Sequence, residues 1–324
     1  MSTPPVLFLI FNRKETALRS LESIRRAQPS QLFIAADGPR KNHDGELENC
    51  EAVRQAVLAA VDWDCEIQTL FRPENLGCKH AVSSAIDWFF EHVESGIIIE
   101  DDCVVSDSFF RFSEELLEKY KDDTRILSIS ANCFQPSGSI KNDSYYFSKY
   151  QHCWGWASWR RAWELYDKEL AGWPAFSDAG GLKKYSEGCS VFGRHFSRIF
   201  NDVRDGKIDT WDFQWMFTGW KNEMVSILPA VNMCTNTGCG KDSTHTSNPN
   251  EWTANLIANE IKFPLSHPET VTRNLEADRW SDVHLWHIRR FQTLIHILSS
   301  VTILRFLYHR VYMNCLMNRK ARSR

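Results

Sequence analysis

Apolar positions in the first hundred residues follow two alternating rhythms. Val6–Phe11 is a continuous apolar run, the pattern of a strand covered on both faces by other layers. Ala17, Leu18, Leu21 and Ile24 then recur at helical spacing. The alternation continues with a strand over Gln31–Ala36, closed by the turn pair Asp37-Gly38. It predicts a helix over Glu46–Ala60, a strand over Glu66–Phe71, a helix over Lys79–Glu94 and a short apolar strand over Gly96–Ile99. A βαβα order of this kind implies an α/β fold with a mostly parallel, doubly wound sheet and helices on both faces.

After Asp107 the rhythm loosens. A helix over Phe109–Tyr120 and a strand over Ile126–Ser130 precede a Trp-rich stretch, Trp154–Trp163. A helix near Trp211–Lys221 leads to a strand over Val225–Leu228 and then a polar loop, Asn232–Asn250. No internal repeat or low-complexity linker interrupts the chain. The expectation is one domain over residues 1–280, with halves at 1–105 and 106–280, followed by a basic helical tail over 281–324.

Composition narrows the class. The 324 residues are 43% hydrophobic and 24% charged, with a net charge of −3, which argues against a general nucleic-acid binder. Ten cysteines show no CxxC pair, and Cys234 and Cys239 have no partner His/Cys pair for zinc, so they read as reduced thiols in a cytoplasm. The apolar run at the start is too short for a signal peptide and lacks a preceding basic region. No stretch reaches the roughly 18 apolar residues of a membrane span.

The candidate chemistry begins at Ile97-Ile98-Ile99-Glu100-Asp101-Asp102, three carboxylates directly after a buried strand. Ligands in open α/β sheets bind beyond the carboxyl ends of strands. Strand alternation would put Glu100 and Asp102 on one side and Asp101 on the other. Crowded like charges need a counter-charge, and hard oxygens suit Mg²⁺ or Mn²⁺, which also bridges to phosphates. A solvated acidic loop is the bland alternative; placement after three isoleucines favours the ligand-binding one.

The segment IIIEDDCVVSDSFFRF resembles the acidic segment of the inverting GT-A glycosyltransferases around N-acetylglucosaminyltransferase I, and the chain is similar in outline to bacterial sugar-nucleotide transferases over roughly Pro5–His245. The resemblance implies a GT-A (nucleotide-diphospho-sugar transferase) fold, with 1–105 as the nucleotide-sugar half and 106–280 as the acceptor half. It implies that Asp102 coordinates the metal while Glu100 and Asp101 contact the donor's sugar and ribose. Asn12 and Arg13 fall where the family places nucleotide contacts, and Asp37 where it hydrogen-bonds uracil, although Asp-Gly is also a plain turn. Arg72 and Lys79 flank an N-x-G loop entering a helix, whose N-terminus with Lys79 and His80 would favour a diphosphate. Trp154, Gly155 and Trp156 match the aromatic loop on the acceptor side, against the alternative of a Trp-rich core. Asp209-Thr210-Trp211-Asp212 resembles the stretch carrying the catalytic base; Asp212 fits best and Asp209 second, with helix capping as the structural alternative. Asn236–His245 looks like a closing loop, with Lys241 or His245 reaching the diphosphate.

These residues point to a metal-dependent inverting transfer of a hexosyl or N-acetylhexosaminyl group from a nucleoside-diphosphate donor. UDP-sugar is expected, and the acceptor hydroxyl would belong to a glycan or lipid-linked acceptor in envelope polysaccharide synthesis. Two rivals share the scaffold: a nucleotidyltransferase making nucleotide sugars, and a non-catalytic nucleotide-sugar-binding protein. The first normally carries a Gly-rich phosphate loop after strand one, where this chain has Asn12-Arg13-Lys14-Glu15-Thr16. From Val283 to Arg324 there are eight Lys and Arg and no Asp or Glu, which suits peripheral contact with an anionic inner membrane face; packing on the domain or a partner is the alternative.

Overall fold

A computed structural model of the chain describes residues 3–238 and 252–288. The first half alternates strand and helix as the apolar pattern predicts: β1 (Val6–Ile10), α1 (Lys14–Ala27), β2 (Gln31–Ala36), α2 (Glu46–Ala60), β3 (Glu66–Phe71), α3 (Gly77–His92) and β4 (Ser95–Glu100). Every residue of β1 is buried, because helices cover both faces of the sheet. The second half holds β5 (Cys103–Val105), α4 (Asp107–Lys119), β6 (Ile126–Ser130), β7 (Tyr145–Ser148), β8 (Trp156–Trp159) and the short helices α5 (Arg160–Trp163), α6 (Trp173–Asp178) and α7 (Lys183–Ser186). It continues with α8 (Ser190–Arg204), α9 (Asp212–Lys221), β9 (Val225–Pro229), β10 (Cys234–Asn236) and α10 (Leu275–His284).

Eight strands form one sheet in the order β3-β2-β1-β4-β8-β6-β9-β7. The first four are parallel, and β6 and β9 run the same way; β8 and β7 are antiparallel to their neighbours. The architecture is therefore mixed α/β and mostly parallel. β5 and β10 form a separate antiparallel ribbon, with Asn236 opposite Cys103. That ribbon sits directly after the acidic triplet. No helix among the described residues is long and apolar enough to cross a membrane.

A third apolar cluster lies away from the sheet, where α8 and α9 pack Phe192, Phe196, Phe200, Phe217 and Trp220. The end of β7 joins α10 beside it through buried charges. Lys149 and Asp282 are both fully buried, 2.9 Å apart, and Lys149 also donates to the Tyr185 carbonyl at 2.8 Å. Asp278, also fully buried, accepts from the Ser148 hydroxyl at 2.5 Å and pairs with Arg273 at 2.7 Å. Burial pushes the Lys149 ammonium below its ordinary range, and Asp282 pulls it back up. The charged pair also places α10 inside the folded body, so the chain is packed through Ile288, beyond residue 281. The tail from residue 289 onward and the loop residues Lys241 and His245 lie outside the described residues.

Removing one partner of a buried pair strands the other charge. Asp282→Ala is expected to cost about 3–5 kcal/mol of unfolding free energy, whereas the Lys149→Met/Asp282→Leu double variant loses less. Urea unfolding of both variants checks this; an equal or larger loss in the double variant would contradict it.

Candidate functional site

The carboxyl ends of the four parallel strands open into a cleft of about 740 Å³. β1 contributes Asn12 and Arg13, β2 contributes Asp37, β3 contributes Arg72 and β4 contributes Glu100 and Asp101. Gly77, Cys78 and Asp209 close the remaining side. Most of the expected donor residues therefore share one concavity, although they come from distant points in the sequence. Asp102 and Asp212 are not among the lining residues.

The triplet does not continue the strand. β4 ends at Glu100, and Asp101-Asp102 form a turn into β5, so the alternation expected for an extended chain does not hold. Both aspartates instead meet one guanidinium. Arg13 Nη2 lies 2.5 Å from Asp101 Oδ1 and 3.1 Å from Asp102 Oδ2. The meeting follows from register, since Leu9 pairs with Glu100 and the chain beyond each runs alongside the other. Arg13 thus supplies part of the counter-charge that the sequence pattern led us to expect from a divalent cation, while still lining the cleft.

One guanidinium is not enough for three carboxylates. Burial, reinforced by Asp102, Asp101 and Asp212, pushes the Glu100 carboxyl well above its ordinary range. Burial likewise raises Asp101 to about 6 despite Arg13. Asp101 Oδ2 is buried without a hydrogen-bond partner. These surplus hard oxygens suit a divalent cation in charge and chemistry. Among the described residues, however, no three His, Cys, Asp or Glu side chains converge as a metal cage. A cation here would rely on one or two carboxylates and on the phosphates of a ligand, as Mg²⁺ commonly does.

Two aspartates serve the loop between β3 and α3. Asp37 accepts from Leu76 N at 3.0 Å, Gly77 N at 3.2 Å and Asn75 Nδ2 at 2.9 Å, besides Gly38 N at 2.9 Å. Asp209 accepts from Cys78 N and Lys79 N, both at 3.0 Å. Four successive N–H groups, 76 to 79, are thus taken by two carboxylates from opposite halves of the chain. Gly77 has φ +78°, and a Cβ there would lie 2.8 Å from Asp209 Oδ2, so glycine is required on both counts. The expected diphosphate site at this helix start is corrected accordingly: its N–H groups at Cys78 and Lys79 are already capped, and Lys79 Nζ is paired with Glu169 at 2.6 Å. Asp37, expected to read uracil, has a carboxylate filled by loop donors.

That leaves Asp212, the first residue of α9. Its carboxylate accepts from Phe213 N at 2.9 Å and from the Thr210 hydroxyl, and it stands near enough to Glu100 to raise it. The Trp-rich motif fixes its position. Trp156 stacks on Trp211 with centroids 5.6 Å apart and touches Trp215 at 5.8 Å, which anchors the start of α9 on β8. Trp156 is 1% exposed, so the expectation that it stacks on a sugar is corrected: it is core. Gly155 has φ +69°, and a Cβ would meet Val105 Cγ1 at 2.7 Å, so its close approach is to β5 and not to a ligand. Trp154 stays half-buried against Phe134 at 5.3 Å, and Phe134 also meets the 41%-exposed Trp252 at 5.9 Å.

Sequence reasoning missed Arg40, Glu46 and Arg54. Glu46 accepts from Arg40 N at 2.6 Å and from Asn12 Nδ2 at 2.9 Å, and its hydrogen bonds from Arg40 hold it down at about 2. Arg54 donates to the carbonyls of Asp37 at 3.1 Å and Arg72 at 2.6 Å, tying the ends of β2 and β3 together under the cleft. The available signal was position: Glu46 and Arg54 lie on the same helical stripe as the buried Cys50, Val53 and Val57.

No family model matches the chain, and no curated protein does. Among solved structures it is similar to a mannosyltransferase from Pyrobaculum calidifontis in complex with GDP-Man and Mn²⁺, at 17% identity and TM-score 0.34, over 51% of this chain and 46% of that one. It is also similar to residues 1–349 of TarS from S. aureus, at 9% identity and TM-score 0.38, over 72% and 60% of the two chains. A UDP-glucose pyrophosphorylase complexed with UDP-glucose is a further likeness, at 10% identity and TM-score 0.38, over 70% and 90%. The chain thus spans less than half of the mannosyltransferase. Likenesses of this size carry no argument about substrate, and the functional reading rests on the residues above.

The cap on α3 makes a thermodynamic prediction. Asp209→Ala should cost about 1 kcal/mol as a lost cap, and Gly77→Ala about 1–2 kcal/mol for its left-handed backbone. Because the two residues touch, the double variant should lose less than the sum of the single costs in urea unfolding. Strictly additive losses would show that the two residues act separately.

Proposed function

We propose that the chain is a glycosyltransferase that moves a sugar from a nucleoside-diphosphate donor, of the UDP-sugar class, onto an acceptor hydroxyl with inversion. The observation that carries the reading is the cleft at the strand ends, with the crowded carboxyl groups of Glu100 and Asp101 lining it and Asp212 close to Glu100. The donor's diphosphate would meet Arg72 and Arg40, which line the cleft, through the N–H groups left over from Ser84, which takes Arg72 Nη2, and from Glu46, which takes Arg40 Nε and Nη2. The acceptor oxygen attacks the anomeric carbon as its proton passes to Asp212, and the electron pair of the breaking C–O bond leaves on the diphosphate. Asp209 is the weaker base, since both of its oxygens already cap α3.

Mn²⁺ or Mg²⁺ would be held through Asp102, with Glu100 and Asp101 toward the donor. When bound it would supply Lewis-acid stabilisation of charge on the leaving group. One observation favours a second, metal-free reading: Arg13 already bridges Asp101 and Asp102, so guanidinium groups alone would offset the departing diphosphate. A glycan or lipid-linked acceptor, and membrane contact through the C-terminal tail, belong to the same proposal. The absence of a glycine in Asn12-Arg13-Lys14 keeps the nucleotidyltransferase reading second to transfer.

Asp212→Asn is expected to lower kcat about 10²–10⁴-fold with little change in donor KM, measured as nucleotide released from UDP-sugars with acceptor present. An unchanged kcat removes Asp212 from the mechanism, and nucleoside triphosphate formed from UDP-sugar and pyrophosphate would establish the nucleotidyltransferase instead.

Chelation separates the two readings of the charge. EDTA should abolish transfer and added Mn²⁺ restore it, whereas full turnover in EDTA would establish the guanidinium reading.

A further inference from the structure

A basic surface that shares no lining residue with the cleft has no role in the chemistry above. Helix α8 buries Val191, Phe192, Phe196, Phe200 and Val203, and its opposite face carries Arg194, Arg198 and Arg204, all exposed. These three arginines line an open groove together with Asp202, Asp205 and Lys207. The two acids could neutralise them but do not: Lys207 Nζ takes both, at 3.0 Å each. No carboxylate among the described residues pairs with Arg194, Arg198 or Arg204. Three uncompensated guanidinium groups on one helical face make a local positive field on a chain whose net charge is −3.

The place where the described chain ends identifies the occupant. After α10 the chain packs back under α8. The Trp286 ring lies 5.2 Å from that of Phe196 and 6.1 Å from that of His195, and Ile288 is buried in the same cluster. The residues that follow, Arg289–Arg324, hold eight Lys and Arg and no acid. Their sequence also includes Phe291–Leu307, a stretch rich in Leu, Ile, Val and Phe in which Arg305 is the one Lys, Arg, Asp or Glu among several uncharged polar residues. The described chain therefore ends packed against α8, the helix that carries the three arginines, and a basic, apolar-rich sequence follows it. A polyanion such as nucleic acid would answer the charge but has no use for the apolar run. An anionic bilayer answers both, with headgroups for the arginines and an acyl boundary for the apolar side chains.

We propose that the exposed face of α8 is a docking surface for anionic lipid headgroups, acting next to the C-terminal segment. It sets how the body sits on the membrane. This extends the membrane contact suggested by the tail to a folded element, and it is independent of which reaction the cleft performs.

The test is co-sedimentation of the full chain with phosphatidylcholine vesicles, with and without phosphatidylglycerol. The wild type should bind only the anionic vesicles and be released by salt. The Arg194→Glu/Arg198→Glu/Arg204→Glu variant, its tail intact, should bind them at least about tenfold more weakly, with thermal unfolding and nucleotide release from donor unchanged. If charge reversal disturbs the fold, the Arg194→Gln/Arg198→Gln/Arg204→Gln variant is read in its place. The proposal is overturned if the folded variant binds anionic vesicles as tightly as wild type. It is also overturned if wild type fails to bind them, binds phosphatidylcholine equally well, or binds heparin and not phosphatidylglycerol. Loss of vesicle binding with intact nucleotide release keeps this result separate from the assignment of the cleft.

Discussion

The repulsion among Glu100, Asp101 and Asp102 is the constraint around which the cleft is built. β1 and β4 are neighbours in register, with Leu9 opposite Glu100, so the residues just past each strand must meet. On one side stand Asn12 and Arg13; on the other, three acids. Arg13 bridges two of them, and the buried Ser20 hydroxyl donates to the Asp101 carbonyl at 2.8 Å from α1. The ribbon of β5 and β10 continues from the same turn, with Thr237 N donating to the Asp102 carbonyl at 2.7 Å. Backbone and side-chain donors thus fix the turn, while Arg13 pairs two of the three carboxyl groups and burial pushes the third, Glu100, toward its neutral form. Buried carboxyl groups raised in this way cluster at functional sites.

The two halves of the chain are joined at the loop from Asn75 to Lys79. Asp37 holds its first part from β2, and Asp209 holds its second part from the approach to α9. The same approach carries Asp212 three residues later, seated by the Trp156–Trp211 stack. Distance between the donor-side loop and Asp212 is therefore set by a short, hydrogen-bonded path and not by loop packing alone. Positioning of this sort is what a bimolecular displacement needs from a protein, because alignment of the reactants contributes a large share of the barrier reduction.

Much of the fold was legible because its signals are local. Continuous apolar runs and 3.6-residue spacing placed β2, α2, β3 and β6 at their observed limits, whereas α3 lies two residues earlier than expected at both ends, its start held by Asp209, distant in sequence. What was not legible depends on long-range pairing. β5 is three residues long and exists because β10 lies beside it. β7 reads as an ordinary aromatic stretch until its pairing with β9 is known. The Trp-rich motif signalled importance but not direction: Trp156 faces inward since β8 lies in the middle of the sheet, between β4 and β6. The pairing of Arg13 was illegible for the same reason, since nothing local shows that the turn after β4 brings two carboxylates to it.

The aspartates around the cleft differ less in type than in what already satisfies them, and that difference sorts their roles. Asp37 has both oxygens filled by loop donors, and Asp209 has both filled by the start of α3. Asp278, far from the cleft, is spent on Ser148 and Arg273. Each could be removed only at the expense of backbone order, which is the signature of a structural carboxylate. Asp212 has one oxygen engaged, by Thr210 and Phe213, and stands beside a Glu100 that burial and its acidic neighbours already favour in the protonated form. Asp212 therefore keeps an oxygen without a hydrogen bond beside a carboxyl group that is itself held toward its neutral form. Hydrogen-bond accounting thus supports the proposed base at Asp212 over Asp209, a choice that motif spacing alone left open.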